Sequence, residues 1–296
     1  MCIRDRNTFV DNLPNDDYHQ PEMGLSNSVF KLFMENPSLV VWNNNAKKDP
    51  EKIKVLDFGT DFHAYFLEPD EFKKYWKVLP EFNRRKPSEK QAELDMIEEW
   101  GKLGVNPVTK EDMHKLDQMR QSAYAHPVVA ELMALPGVSE RSFFWTDPET
   151  GLRMKCRPDR LIEGITDDNR PNDMPANCKT IVLDVKTIGQ FSRMQNQIED
   201  LQYYIQDRFY SKGIAAVTGC DIEEIWFVFM FVSTSLEIGR YPVKVIQMSE
   251  SAKLDADNMI AEHLPKYAAY KNSPDSAWNT VITLDRPHWA QQDDIL

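Results

Sequence analysis

Residues 181–187 read IVLDVKT, three aliphatic side chains followed by an aspartate, a valine, a lysine and a threonine. The aliphatic run and its β-branched residues predict a strand whose middle is buried. Side chains alternate along a strand, so Asp184 and Lys186 fall on one face. Taking a carboxylate and an ammonium out of water costs several kcal/mol per ion unless the pair is compensated. A structural ion pair answers that demand, and so does a metal-dependent active site; the strand alone leaves both open.

Reading outward from this strand organises the chain. Downstream, FSRMQNQIEDLQYYIQDRFYSKG (191–213) has the period of one helix, with Met194, Ile198, Leu201, Ile205 and Phe209 on its apolar face. IWFVFMFVS (225–233) and EIGRYPVKVIQM (237–248) predict two more strands, and SAKLDADNMIAEHLPKYAAYKN (251–272) begins as a final helix. Upstream, RSFFWTDPETGLRMKCRPDRLIEG (141–164) carries a turn at Asp147–Gly151 between two strand-like runs, the pattern of a hairpin. The polar segment 166–179, with Pro171 and Pro175, reads as a surface loop.

Before Ser139 the pattern is helical. Segments at 24–37, 56–68, 88–103, 109–125 and 126–135 have helical spacing, and Ser26 or Ser28 can cap the first of them. Residues 1–17 are polar and expected to be poorly ordered. The order of elements predicts an α/β fold in one domain over 18–290. A helical elaboration occupies about 18–138 and the core about 139–272.

Bulk properties narrow the functional classes. The chain has 296 residues, 42% of them hydrophobic and 28% charged, as expected of an ordinary globular protein. No apolar run approaches a membrane span, and MCIRDRNTFV lacks a signal-peptide core. Cys2, Cys156, Cys178 and Cys220 are dispersed, which fits a reduced, cytoplasmic setting and no zinc knuckle. The net charge of −12 disfavours indiscriminate nucleic-acid binding. Charge is uneven, however: residues 71–90 hold seven Lys/Arg against three Glu, so a basic working surface within an acidic shell is compatible with a DNA substrate.

Further groups complete a constellation. Arg157-Pro158-Asp159 stands where the second hairpin strand should emerge; if that strand neighbours 181–187, Asp159 can meet Asp184. Two carboxylates a few ångströms apart repel unless a cation lies between them. Hard divalent ions take oxygen ligands and suit phosphate chemistry. His63, in Gly59-Thr60-Asp61-Phe62-His63, offers a neutral nitrogen that can complete such a site. Gln206 and Tyr210 share a helix face at i, i+4. Each taken singly has an ordinary structural meaning; their joint occurrence carries the signal.

GTxxH, RPD, DVKT and QxxxY, in that order, resemble the motifs of the PD-(D/E)XK nucleases of the RecB-like branch, and within it the RecE-type exonucleases (exodeoxyribonuclease VIII). LEPDEF (67–72), PEFNRR (80–85), DPETG (147–151), CRPD (156–159) and GRYPV (239–243) extend the similarity over roughly 18–290. The resemblance implies a mixed central sheet flanked by helices. It implies Mg²⁺-dependent (or Mn²⁺-dependent) 5′→3′ degradation of one strand of duplex DNA ends, leaving 3′ overhangs. Its metal ligands would be His63, Asp159 and Asp184, with Lys186 the catalytic lysine and Gln206 and Tyr210 supporting the site. It further implies a homo-oligomeric ring around DNA and a RecT-like single-strand annealing partner in phage-type recombination.

Arg84 and Arg85 are candidate phosphate contacts, and Ser26 or Ser28 a candidate holder of a 5′-phosphate at a helix N-terminus. Only Cys220 follows Tyr210, so no iron–sulfur cluster is expected, and no GxxxxGK[ST] loop for ATP occurs. Within the same class the rivals are a single-strand exonuclease or a flap endonuclease. From another class comes a catalytically silent DNA-end-binding module.

Overall fold

The strand foreseen at 181–187 extends over Thr180–Ile188 and lies third of five in a mixed sheet. The computed structural model describes residues 7–45 and 50–272. In chain order, β1 (Thr8–Val10), α1 (Asn15–His19) and β2 (Leu25–Ser26) precede a helical series. That series comprises α2 (Asn27–Glu35), α3 (Pro37–Asn45), α4 (Pro50–Leu67), α5 (Pro69–Tyr75), α6 (Pro87–Lys102), α7 (Lys110–Tyr124) and α8 (Pro127–Ala134). A small parallel pair, β3 (Trp76–Val78) with β4 (Asn106–Val108), is set among these helices. The remainder is β5 (Val138–Ser139), β6 (Ser142–Thr146), β7 (Arg153–Cys156), β8 (Arg160–Ile162), β9 (Thr180–Ile188), α9 (Met194–Asp200), α10 (Tyr203–Thr218), β10 (Ile225–Ser233), β11 (Val243–Ile246) and α11 (Glu250–Asn272).

Local chemistry sets many of these boundaries. Pro37, Pro69, Pro87 and Pro127 open α3, α5, α6 and α8, where a missing N–H costs nothing and φ is already helical. Thr109 caps α7 by accepting from Asp112 N–H at 3.0 Å, and Ser26 caps α2 by accepting from Val29 N–H at 3.4 Å.

Two sheets divide the strands. The larger runs β11-β10-β9-β8-β5, with β9 and β10 parallel and the other pairs antiparallel. The crossover between β9 and β10 contains α10, as a parallel connection requires. The smaller sheet runs β1-β6-β7-β2. Its β6–β7 hairpin is the one foreseen at 141–156, paired from Phe143↔Cys156 to Thr146↔Arg153.

Burial on both faces explains the near-continuous apolar character of β9. Ile181, Leu183 and Val185 pack with Phe62, Phe66, Leu116 and Met119 of the helical elaboration. Val182 joins Ile205 and Phe209 of α10 and Ile260 of α11 on the opposite face. Each fully buried side chain of this size contributes about 1.5–3 kcal/mol relative to exposure.

Three expectations are corrected. Residues 7–17 are part of the fold: β1 pairs with β6, and Tyr18 behind it is buried under Lys155, whose ammonium donates to the Tyr18 and Gln20 carbonyls at 2.6 and 2.9 Å. Residues 1–6 lie outside the described residues. The single helix expected over 191–213 is broken: a 3-10 turn at Phe191–Arg193 leads into α9, and α10 starts afresh after Gln202 at φ +49°. Leu201, expected on the apolar face, is 45% exposed because the break turns it outward. Finally, the hairpin strand β7 does not neighbour β9; the chain leaves β7 at Cys156, crosses through Arg157-Pro158-Asp159, and only then forms β8 beside β9.

Candidate active site

That crossing creates the site. The β8–β9 ladder ends at Arg160↔Leu183, so β9 runs on without a strand partner on this side. At Val185 side chains take the place of the missing strand. Asp159 Oδ2 accepts the Val185 N–H at 2.6 Å, and His63 Nε2 donates to the Val185 carbonyl at 2.6 Å. His63 arrives on α4, which approaches the end of β9 closely: a Cβ added at Gly59 would sit 3.5 Å from Thr187 Oγ1.

The tautomer follows from these partners. A carbonyl only accepts, so the proton must be on His63 Nε2, and in the neutral ring Nδ1 keeps a lone pair. That lone pair is 3.5 Å from the same Asp159 Oδ2. Two electron-rich atoms thus face each other across a gap that a cation would fill.

The other face of β9 holds the second half. Lys186 and Asp184 form the ion pair foreseen from their alternation, with Lys186 Nζ against Asp184 Oδ1. Gln206 of α10 donates to Asp184 Oδ2 at 2.5 Å, so both oxygens of this fully buried carboxylate are engaged. Burial, then repulsion from Asp159, pushes Asp184 up to about 6. Burial pulls the Lys186 ammonium down, but attraction to Asp184 and Asp159 outweighs it and holds the group above its ordinary value, as a cation.

Glu140 belongs to the cluster and was not foreseen. His63, Glu140 and Asp159 each offer a ligand atom within 4.8 Å of one another. Glu140 sits between β5 and β6 at φ +54°, a conformation that costs a non-glycine residue free energy, and its N–H donates to the Asp159 carbonyl at 3.2 Å. Burial, then Asp159 and Glu68, pushes its carboxyl up to about 8. Glu68 is itself raised, by burial and then by Glu71. No periodic pattern marks Glu140; only the meeting of two sheets brings it to Asp159.

These observations fit a bound cation. One imidazole and two carboxylates, with the Glu140 carboxyl raised by burial and by the neighbouring acids, match a hard divalent ion, and His63, Glu140 and Asp159 would hold it. Asp184 stands next to that trio, coupled to Asp159 and His63 by charge but bound to Lys186 and Gln206.

Comparison with known proteins places this geometry. Residues 26–277 match the family described as PDDEXK-like domain of unknown function (DUF3799). The chain belongs to that family. Among solved structures it is similar to a presumptive exonuclease from Eubacterium rectale, with a TM-score of 0.57, 13% identity, and coverage of 94% of this chain and 97% of that one. At such identity the likeness is one of fold. The crystal structure of SSO0001 overlaps with a TM-score of 0.25 and 14% identity over 64% of this chain and 77% of that one, which carries no argument. No curated protein matches the sequence.

Seen as a PDDEXK-like domain, the remaining candidates separate. Tyr210 packs against Phe227 at 6.2 Å between ring centroids, with its phenol raised by burial. Ser26 and Ser28 hydroxyls lie 3.0 Å apart at the start of α2, with Ser26 acting as the cap. Arg84 is committed elsewhere: its guanidinium grips Glu93 through Nε–Oε2 at 2.8 Å and Nη2–Oε1 at 2.5 Å, a two-pronged pair that competes with any phosphate. Arg85 is exposed on the adjoining turn. The basic stretch around them is largely neutralised locally, Lys73 by Asp70, Lys74 by Glu71 and Lys86 by Glu89. Among the described residues no helix is long and apolar enough to cross a membrane.

Proposed function

We propose that this protein is a divalent-metal-dependent exodeoxyribonuclease, using Mg²⁺ or Mn²⁺, that degrades one strand of linear duplex DNA from its 5′ end and leaves a 3′ single-stranded overhang. One observation carries the reading: an imidazole on α4, acids from the β5–β6 and β7–β8 connections and an acid–lysine pair on β9 converge around the frayed edge of a single strand. Membership of a PDDEXK-like family supports it, since the DVKT strand resembles the acid–lysine motif of the PD-(D/E)XK nucleases.

His63, Glu140 and Asp159 would hold a divalent cation, which would supply Lewis acidity at the scissile phosphate. The chain's own groups do the rest. Lys186 presents a permanent positive charge, and Gln206 and Lys186 together fix Asp184 so that neither oxygen swings away. His63 is locked in one tautomer by the Val185 carbonyl, with Nδ1 turned to Asp159. Hydrolysis adds water across the phosphorus–O3′ bond, so each released nucleotide keeps its 5′-phosphate and leaves with a free 3′-hydroxyl. In this reading the working form is a homo-oligomeric ring that threads duplex DNA, and the overhang passes to a single-strand annealing protein of the RecT type in recombination.

The deciding experiment is digestion of linear duplex labelled at either the 5′ or the 3′ ends, in Mg²⁺ and in Mn²⁺. Early release of the 5′ label as mononucleotide is the expected outcome. Early release of the 3′ label, cutting of single strands alone, or DNA binding without release in either metal overturns the assignment.

A further inference from the structure

Lys31 of α2 lies beside the site and has no carboxylate partner among the described residues. Its ammonium donates to the Leu201 carbonyl at 2.6 Å and stands 6.0 Å from the centre of the Tyr203 ring. Lys186 stands over that same ring at 5.3 Å. Two ammonium groups therefore approach one buried aromatic ring, and like charges drawn to the same ring repel. Burial, then Lys186, pulls Lys31 down to about 8. Asp184 attracts both ammonium groups and offsets part of the repulsion, and a phosphate between them would offset more.

The surroundings say what would relieve it. Leu201, whose carbonyl Lys31 holds, lines an open cleft of about 580 Å³ that starts at Ile188 and Gly189, directly after Lys186 on β9. Gln190, Arg193, Asn196 and Gln197 line the same cleft with amide and guanidinium donors suited to a sugar-phosphate backbone, and Asp200 is its one acidic lining residue among the described residues. The break between α9 and α10 at Gln202 is what presents the Leu201 carbonyl to Lys31. The helix break, the second lysine and the cleft thus belong to one arrangement.

We propose that Lys31 is a second phosphate-binding cation of this site, holding the backbone phosphate next to the scissile one where the DNA strand passes from Lys186 into the 188–201 cleft. The proposal rests on the nuclease reading for the word scissile, but the phosphate contact can be tested apart from cleavage. Lys31 then acts on substrate position: the strand is gripped at two points beside Tyr203, and register at Lys186 is set by two charges instead of one.

The test uses the full chain and two substitutions, Lys31→Gln, which keeps a donor for Leu201 but loses the charge, and Lys31→Arg, which keeps both. Binding of a labelled single strand is measured against salt concentration without divalent metal, so that nothing is cut. Lys31→Gln should lower the slope of log affinity against log salt by about 0.7, the loss of one phosphate contact on a single strand, and Lys31→Arg should restore it. In the metal-supplied protein Lys31→Gln should raise KM roughly tenfold with kcat changed by less than about threefold. An unchanged slope in Lys31→Gln, or a fall in thermal midpoint with slope and KM intact, overturns the proposal and makes Lys31 structural. Should the unsubstituted protein cleave no DNA, the nuclease reading falls, while the slope still decides the fate of Lys31.

Discussion

Two consecutive residues of α10 point into two buried polar clusters of opposite character. Gln206 reaches Asp184, and Asp207 turns toward Ser211, Arg208 and the α11 residues Glu250 and Lys253. Both carboxylates are raised, Asp184 to about 6 and Asp207 to about 7, with burial the main cause in each. Their partners differ. Asp184 has a lysine and an amide on its two oxygens and stands beside a histidine and two more acids. Asp207 has the Ser211 hydroxyl at 3.3 Å on one oxygen and, among the described residues, neither a hydrogen bond nor an ion pair on the other, whereas the Asp184 oxygen that lacks a hydrogen bond is ion-paired to Lys186. A perturbed carboxylate is therefore not by itself a sign of chemistry. What distinguishes the site is convergence of groups from separate segments with an opening to solvent, His63 being 27% exposed.

The comparison can be broken at its catalytic end first. Lys186→Ala should lower the rate of nucleotide release by about three orders of magnitude, because among the described residues no other cation is paired with Asp184. Circular dichroism should show the fold retained. Full activity in metal-supplied Lys186→Ala protein would remove the lysine from the mechanism.

The enclosed end should respond in stability instead. Asp207 has a folded value of about 7, above the ordinary carboxylate value near 4. Between those two pH values the folded chain holds a proton that the unfolded chain has lost. Stability therefore falls as pH rises from about 4 to about 7, by up to about 4 kcal/mol from this group. Asp207→Asn should flatten that slope in denaturant titrations at pH 5 and pH 8, with nuclease activity at pH 8 unchanged. A slope identical to the unsubstituted protein would show that Asp207 is ionised in the fold.

The smallest effect sharpens the boundary of the site. Glu140→Gln should weaken Mn²⁺ binding, followed by calorimetry, by roughly ten- to a hundredfold, since one charged ligand is lost from the trio. Unaltered affinity would return the metal to Asp159, Asp184 and His63 without Glu140.

How much of this was legible beforehand varies by residue. The shared face of Asp184 and Lys186 followed from strand alternation, while the engagement of Gln206 was implied only by the resemblance of QxxxY to the nuclease motif. The pairing of Arg84 was not legible, because nothing in PEFNRR shows that Glu93, nine residues further on, will hold it. The break at Gln202 was hidden by an apolar spacing that runs straight through it. Glu140 carried no local mark at all.

By itself the sequence determined which residues line each face of a strand or helix, because side-chain direction repeats with a fixed period along the backbone. It thereby set the β9 acid–lysine pair and the helix that buttresses it. Only the tertiary structure decided that β8 and not β7 lies beside β9, that its ladder ends at Leu183, and that Asp159, His63 and Glu140 fill the vacated edge. Those meetings depend on where two sheets part company, and backbone groups left unpaired there must find partners from wherever the folded chain supplies them.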